Sequence, residues 1–507
     1  MSKIVFFFSH SIQIKWYATF AEIFKNYFTD CKIHLFVHGE TDQQFASHFK
    51  QYDEVINILD GFIFNEKLHL QNICFSNDIK ELENKLNQSF FWEDVTIDRW
   101  IRAKQSPSYS IQYLNHAFNL IKQRYQQYRP ICGFGESTMA IYRLAHHLFE
   151  HDRRYFLVPI VTRFFERFYI EIDWDLRWKT MFDCYQNYVK NGIPPHLQKI
   201  AEEKYKAIVA YHYKPVGLNH HSKKCKRNSD ITRWFNIKKY FNVIANLYSV
   251  NKNEIKCNVR YCTTANTLTK KIKAYLFNKK SYQFLEKHFE KSIPRNITFC
   301  VYFLHCQPEY TIDSLGRYYQ DQEYLIANIA ANLPSNYFLL IKEHPAMKGQ
   351  RPIALYKKIM KISNAVLIHP DIDSHTLISQ SQLIFTVSGT AALEAVFLNK
   401  QSIVFGQYAY SNAHLISFCD SFWKLNALIR EKLAYQPDSV ETKKHALCLL
   451  AAKYQHSFPG KLPYAGDLTD LYMHDDKNIH DITTSFKQIL SILFCGKNNE
   501  YKFSIGK

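Results

Sequence analysis

No stretch of this chain approaches the roughly 20 consecutive apolar residues that crossing a bilayer requires. Its start carries no secretory leader either: Ile4-Val5-Phe6-Phe7-Phe8 is shorter than a signal core, and no small-residue cleavage pattern follows. The expectation is a cytoplasmic protein, soluble or peripheral at the inner face of the cytoplasmic membrane. No Cys-x-x-Cys pair occurs among the 12 cysteines, and the closest neighbours, Cys257/Cys262 and Cys300/Cys306, lack zinc spacing. Reduced, mostly buried thiols are therefore expected rather than a disulfide framework. No metal-ligand cluster is visible, so no metal is expected. No short-period repeat and no recognised nucleic-acid motif appears. Acidic residues are the minority, 46 against 64 Lys and Arg, for a formal net charge of +18. That surplus favours polyanions such as anionic headgroups or acidic glycans, unless it is only a solvated basic surface. The cations are scattered, with denser stretches at 214–227 and 269–280.

What is present is ample apolar material, 47% of 507 residues, enough for two to four cored domains. The chain opens on an apolar run, Lys3 to Phe8, then a Ser9-His10-Ser11 turn and an amphipathic stretch from Ile12 to Tyr27. A second strand follows at Lys32 to Val37. Strand, loop, helix, strand is the rhythm of a parallel α/β layer. It returns with helix 110–125, strand 130–134, helix 137–149 and strand 155–161. From 166 to 293 the composition turns basic and helix-prone, as in 197–211 and 230–248. The rhythm then resumes, with strands predicted at 297–304, 337–342, 365–368, 383–387 and 402–405, and helices at 319–332, 352–362, 374–379 and 391–398. The domain expectation is an N-terminal α/β layer over 1–165, a helical, basic insertion and linker over 166–293, a second α/β domain over 294–430, and a helical tail over 431–507 that packs back across the domains. Ile482 to Phe494 has apolar residues at near-helical spacing. That face either packs on a domain or rests on a membrane.

Doubly wound sheets bind ligands at the carboxyl ends of their strands, so the strand-end loops are the places to look. Leu383 to Val387 runs into Ser388-Gly389-Thr390, and a helix begins at once. Amides at a helix start attract a phosphate, Gly389 permits close approach, and Ser388 and Thr390 add hydroxyls. Simple N-capping is the structural alternative. Glu394, one turn on, is placed to accept from ribose hydroxyls. Tyr337 to Lys342 ends in Glu343-His344-Pro345. Pro345 biases His344 toward extended backbone, and an imidazole there can donate to phosphate or protonate a leaving group. After the strand at 297–304 come His305-Cys306-Gln307-Pro308-Glu309, with Gln307 toward the donor and Glu309 a candidate nucleophile or base. In the first layer Gly133-Phe134-Gly135-Glu136-Ser137 lacks the third glycine of a dinucleotide fingerprint, since position 138 is Thr. Glu136 is read as an acid/base carboxylate, Arg163 as a contact for an anionic acceptor, and Asp98-Arg99 as an internal pair or an acceptor contact.

The segment Val301 to Phe405 resembles the bacterial capsule polysaccharide biosynthesis family, which includes Kdo transferases. The matching pieces are Gln307-Pro308-Glu309, Leu333-Pro334, Lys342-Glu343-His344-Pro345 and Ser388-Gly389-Thr390-Ala391-Ala392-Leu393-Glu394-Ala395, in that order. Gly133 to Ser137 and the Arg163 region resemble its weaker N-terminal part. The resemblance implies a GT-B architecture, two Rossmann-like domains facing a cleft, with Lys342, His344, Pro345 and Ser388 to Thr390 on the donor phosphate. It implies a metal-independent glycosyltransferase that takes a sugar, Kdo from CMP-Kdo, to a lipid-linked or growing glycan in capsule or lipopolysaccharide biosynthesis. Glu136 and Glu309 become candidate catalytic acids. No cofactor beyond the nucleotide-sugar substrate is implied, and no nucleic-acid partner. Two other readings stay open: a phosphotransferase using a CDP-alcohol, as in teichoic-acid polymerases, and a non-catalytic polyanion-binding protein.

Overall fold

The computed structural model describes residues 2–10, 13–68, 73, 75–98, 101, 106–136, 139–172, 177–210, 268–307, 310–313, 316–463 and 474–495. Glu309, Pro308, Arg99, Ser137 and the helix expected at 230–248 lie outside them. Among the described residues the chain forms two compact units. Of these residues the first unit takes those up to 172 and from 456 on, and the second takes 177–210 and 268–455.

The first unit is built on β1 (Lys3–Phe8), β2 (Cys31–Val37), β3 (Glu54–Asn57), β4 (Cys132–Gly135), β5 (Phe156–Val161) and β6 (Arg167–Glu171). Across the sheet the order is β6-β5-β4-β1-β2-β3, with Phe458–Pro459 added beyond β6. β1 to β5 run parallel. β1 sits at the centre and is buried from Ile4 to Phe8, as expected of a continuous apolar run covered on both faces. Each parallel step needs a crossover. Helix Gln13–Tyr27 joins β1 to β2, and helix Ala140–His151 joins β4 to β5. β5 and β6 instead form an antiparallel hairpin, closed where the Thr162 amide donates to the Arg167 carbonyl at 3.0 Å.

The second unit repeats the plan with β7 (Thr298–Phe303), β8 (Tyr337–Lys342), β9 (Ala365–Ile368), β10 (Ile384–Thr386), β11 (Ser402–Val404) and β12 (Ile416–Phe418), in the order β12-β11-β10-β7-β8-β9, all parallel. Alternate residues feed opposite cores: Cys300, Tyr302, Leu339, Ile341 and Phe385 on one face, Phe299, Val301, Leu340 and Ile384 on the other. The fold class read from the strand and helix rhythm is thus present: two doubly wound α/β units. In each, the chain moves outward through three strands and then returns to the other side of the first. The strand ends part between β1 and β4, and between β7 and β10.

The stretch 166–293 holds helices Lys179–Asn191, Pro195–Val209 and Leu268–His288, but it opens on a strand, β6. Its five residues bury Phe168 and Ile170 on one face and Tyr169 on the other, too short a run to stand out from a basic, helix-prone background. Helix Ser439–Gln455 packs on Lys179–Asn191 and Pro195–Val209 within the second unit. The last described helix, Asp476–Cys495, belongs to the first unit and packs on Gln13–Tyr27. Its Phe486 ring lies 4.8 Å from Phe20, 5.2 Å from Phe24 and 5.7 Å from Phe134. The apolar face of this helix is therefore covered by protein. No helix among the described residues is long and apolar enough to cross a membrane. The eight described cysteines are free.

Two predictions follow from this packing. Phe486→Ala should cost about 3–5 kcal/mol, the range for a buried Phe, read as a lower urea midpoint for the first unit; a loss below about 1 kcal/mol would mean the helix is not docked. His146 is buried against Phe156 with Nε2 2.9 Å from the Ile172 carbonyl, and burial, aided by His147, pushes its pKa down to about 3. The unfolded chain takes up that proton near 6.5. Stability should hold above that pH and fall by about 1.4 kcal/mol per pH unit below it, until about pH 3. His146→Gln should flatten the slope of stability against pH between 6 and 4.5.

Candidate active site

The second sheet gathers its predicted residues at one edge. β8 ends at Lys342, whose side chain is buried and whose Nζ donates to the Pro370 carbonyl at 3.0 Å. Burial pushes its pKa down to about 8, against the pull of Glu343, Asp373, Asp371 and Glu394. Glu343 is no surface charge. It is fully buried, accepts Arg351 Nε on both oxygens at 3.0 and 2.8 Å, and accepts the Tyr356 hydroxyl at 2.6 Å. A buried carboxylate is tolerable only with such pairing, and this brace fixes the loop that follows.

His344 has the extended backbone that Pro345 imposes, φ −71° and ψ 131°. Its Nδ1 accepts the Ala346 amide at 3.1 Å and caps the turn Pro345–Met347. Because Nδ1 is an acceptor, the proton of the neutral ring is on Nε2.

The Ser388-Gly389-Thr390 loop leaves β10 and rests on His305, at the end of β7. His305 Nε2 accepts the Val387 amide at 3.0 Å and lies 2.9 Å from the Thr386 hydroxyl, which accepts the Gly389 amide at 3.1 Å. A Cβ on Gly389 would sit 2.6 Å from Thr386 Oγ1 and 3.3 Å from His305 Cε1, so only glycine allows this turn. The Tyr410 hydroxyl reaches the Ser388 and Gly389 carbonyls at 2.7 and 3.0 Å. Thr390 does not cap the helix with its side chain; its hydroxyl donates to Glu394 Oε1 at 3.1 Å. The helix, Ala391–Phe397, has seven residues, and the effect of its dipole is confined to its first turn.

Glu394 is mostly buried. Burial first, and then the charge of Asp373, pushes its pKa up to about 7, while Thr390 and Lys342 oppose the rise. Glu394 and Lys342 thus stand near their titration points at neutral pH. Gln307 is a member of an amide relay: its Nε2 donates to the Gln320 carbonyl at 2.8 Å and its Oε1 accepts Gln322 Nε2 at 2.6 Å, while Gln322 Oε1 accepts the His305 amide at 2.7 Å. It shapes the β7 end. His305, Arg351 and Tyr410 were missed as functional residues. His305 heads the run His305-Cys306-Gln307, and its place directly after a strand was the available signal.

The edge of the first sheet holds Glu136, directly after β4, and His10, just beyond β1. Glu136 Oε1 pairs with His10 Nδ1, and Oε2 accepts Gln13 Nε2 at 3.1 Å. Both residues are buried. His10 had been only part of a turn in the sequence. Asp98 caps the next helix, accepting the Ala140 amide at 2.7 Å and the Ile101 amide at 3.0 Å. Arg163 lies in the β5–β6 hairpin turn and is half-buried. Among the described residues, one trio has the spacing to hold a metal: His414, Glu441 and His445. The two rings stack at 4.2 Å and 6°, so their in-plane lone pairs run parallel rather than converging on an ion.

No curated protein matches the chain. Solved structures similar to it include Thermosulfurimonas dismutans KpsC, beta Kdo 2,4 transferase, at 12% identity and TM-score 0.30, covering 62% of this chain and 78% of that one. A glycosyltransferase from Rickettsia africae ESF-5 is 9% identical with TM-score 0.30, covering 98% and 100%. UDP-GlcNAc 2-epimerase from Neisseria meningitidis bound to UDP-GlcNAc is 11% identical with TM-score 0.29, covering 97% and 99%. Likenesses this low carry nothing about the site. The sequence model of the family described as "Capsule polysaccharide biosynthesis protein" matches residues 250–420, which contain β7 to β12 and every predicted donor residue. Over that third of its length the chain carries the sequence pattern of the capsule polysaccharide biosynthesis family, the family its strand-end motifs resemble.

Proposed function

We propose that the chain is a glycosyltransferase of capsule or lipopolysaccharide assembly that takes a sugar, Kdo from CMP-Kdo, to a lipid-linked or growing glycan. The observation that carries this reading is that Lys342 and His344 at the end of β8, and the Ser388–Thr390 loop and Glu394 after β10, share one sheet edge on either side of β7, inside the segment that matches the family. In this reading His344 Nε2–H and the loop amides take up charge building on the departing phosphate. Lys342 supplies positive charge, and Glu394 accepts from ribose hydroxyls. In this reading these donors take the place of a metal, and the step is proposed to be metal-independent. Arg163 is a contact for an anionic acceptor, and the basic surface suits the inner membrane face.

CMP should raise the melting temperature of the purified chain and UDP should not; stabilisation by UDP alone would sink the CMP-donor reading. His344→Ala should lower turnover of CMP-Kdo about a hundredfold to a thousandfold, the cost of one oxyanion-type donor, with the melting temperature little changed. Undiminished transfer would remove His344 from the reaction. Product analysis separates sugar transfer from phosphodiester formation by a CDP-alcohol.

Nucleotide affinity should rise as pH passes up through about 7, where Glu394 ionises and becomes a full acceptor. In Glu394→Gln, isothermal titration between pH 6 and 7.5 should show no such rise. A persistent rise would place the titrating group elsewhere.

A further inference from the structure

We infer that the exposed face of helix Leu268–His288 is a contact surface for an anionic phospholipid bilayer. This deepens the reading of the basic surface given above, and it does not depend on which sugar or nucleotide the chain uses.

Six of the 21 residues of this helix are lysine, at 270, 271, 273, 279, 280 and 287, and Glu286 is its one acid. Glu286 does not offset them. Its carboxylate turns to partners outside the helix, Lys291 at 3.0 Å, His369 at 3.2 Å and Lys348 at 3.5 Å. A helix meant only for solvent mixes charges of both signs along its face; a basic helix that also exposes apolar residues has the pattern of a membrane-surface element.

The back of the helix is anchored within the second unit. Leu285 is buried in the core, and the Phe284 and Tyr356 rings stack 6.1 Å apart and 7° from parallel. The buried Ser281 hydroxyl donates to the Arg351 carbonyl at 2.6 Å. The opposite face is thereby held outward. Leu276, Lys280, Gln283 and Lys287, spaced four, three and four apart, share that face, and all are exposed. Lys279 and Phe277 flank it and are exposed as well.

Charge selects the sign of the partner, and the apolar residues select its kind. Lysines alone would suit any polyanion, a nucleic-acid backbone or an acidic glycan included. Leu276 is 49% exposed and Phe277 41%, and both stand among the lysines. Apolar groups gain nothing against the phosphates of a nucleic acid, and a leucine offers no flat ring to a sugar. A bilayer surface uses both kinds of group. The ammonium groups stay with the headgroup phosphates on flexible stems, while Leu276 and Phe277 enter the boundary between headgroups and acyl chains.

The test uses the full chain, sedimented with vesicles of phosphatidylcholine with and without phosphatidylglycerol. The wild-type chain should bind the vesicles that contain phosphatidylglycerol, and added salt should weaken that binding. Lys279→Gln, Lys280→Gln and Lys287→Gln combined should lower the partition coefficient about a hundredfold, each lysine near the surface counting for about fivefold. Lys357→Gln, Lys361→Gln and Lys443→Gln combined, at exposed positions elsewhere on the second unit, should lower it by no more than about fivefold. Leu276→Ser with Phe277→Ser should weaken vesicle binding and leave binding to heparin and to duplex DNA unchanged. All these positions are on the surface, so melting temperatures should hold, which separates a lost contact from a lost fold. Equal losses in the two lysine triples would mean diffuse charge and overturn the inference. Vesicle binding that ignores Leu276→Ser with Phe277→Ser would mean a polyanion contact only and overturn it too, as would failure to bind phosphatidylglycerol vesicles at all. Each of these outcomes leaves the transferase reading in place, and a chain that CMP does not stabilise leaves the vesicle result in place.

Discussion

The edge of the second sheet depends on one uncharged ring. Parallel strands that separate at their carboxyl ends leave a gap, and between β7 and β10 that gap is bridged by His305. Its Nε2 receives the amide of Val387, its own amide and carbonyl are tied to Gln322, and its carbonyl also accepts Arg351. Arg351 in turn neutralises Glu343 beneath the His344 loop. The loops from β7, β8 and β10 are thereby members of one network. The bridge works only while the ring is neutral, because a protonated Nε2 could not accept an amide. Burial, reinforced by the nearby guanidinium, pushes the His305 pKa down to about 3 and keeps it neutral.

Glycine and small polar groups complete that network where bulk would break it. Gly389 turns against Thr386 and His305 with no space for a Cβ, and Tyr410 holds the carbonyls of Ser388 and Gly389 from behind. With its carbonyls held, the loop has a fixed shape before any ligand arrives. Preorganised donors of this kind avoid reorganisation at the moment of reaction. Lys342 and Glu394, drawn toward neutrality by burial, add two groups whose charge responds to what binds beside them.

The sequence was most readable where periodicity was strong. β1, β8 and β9 fall on the residues that their apolar runs indicate, and the helix at 391 begins where Ser-Gly-Thr ends. Elements without a continuous apolar run were not readable: β3 is Glu-Val-Ile-Asn, β12 is Ile-Ser-Phe, and β6 hides in a basic stretch. Motif residues at strand ends were visible because a strand, a turn and a helix frame them. The residues that hold those motifs were not. Glu343 had no role legible in the sequence, since only the fold reveals that Arg351 and Tyr356 close over it. Gln307 looked like a ligand contact because its Gln322 partner is fifteen residues away, with no local signal linking them. His10 looked like punctuation, because its partner Glu136 comes more than a hundred residues later.

Set side by side, the two sheets show a shared grammar. In each, a histidine follows the first strand, His10 or His305, and a glycine ends or follows the fourth, Gly135 or Gly389, with no space for a Cβ. What differs is the neighbour. His10 meets a carboxylate, whereas His305 sits beside a guanidinium and is confined to one protonation state. One architectural position is thus given opposite neighbours, a carboxylate in the first unit and a guanidinium in the second. A chain built twice on one plan can vary the charge beside a repeated residue without changing the plan.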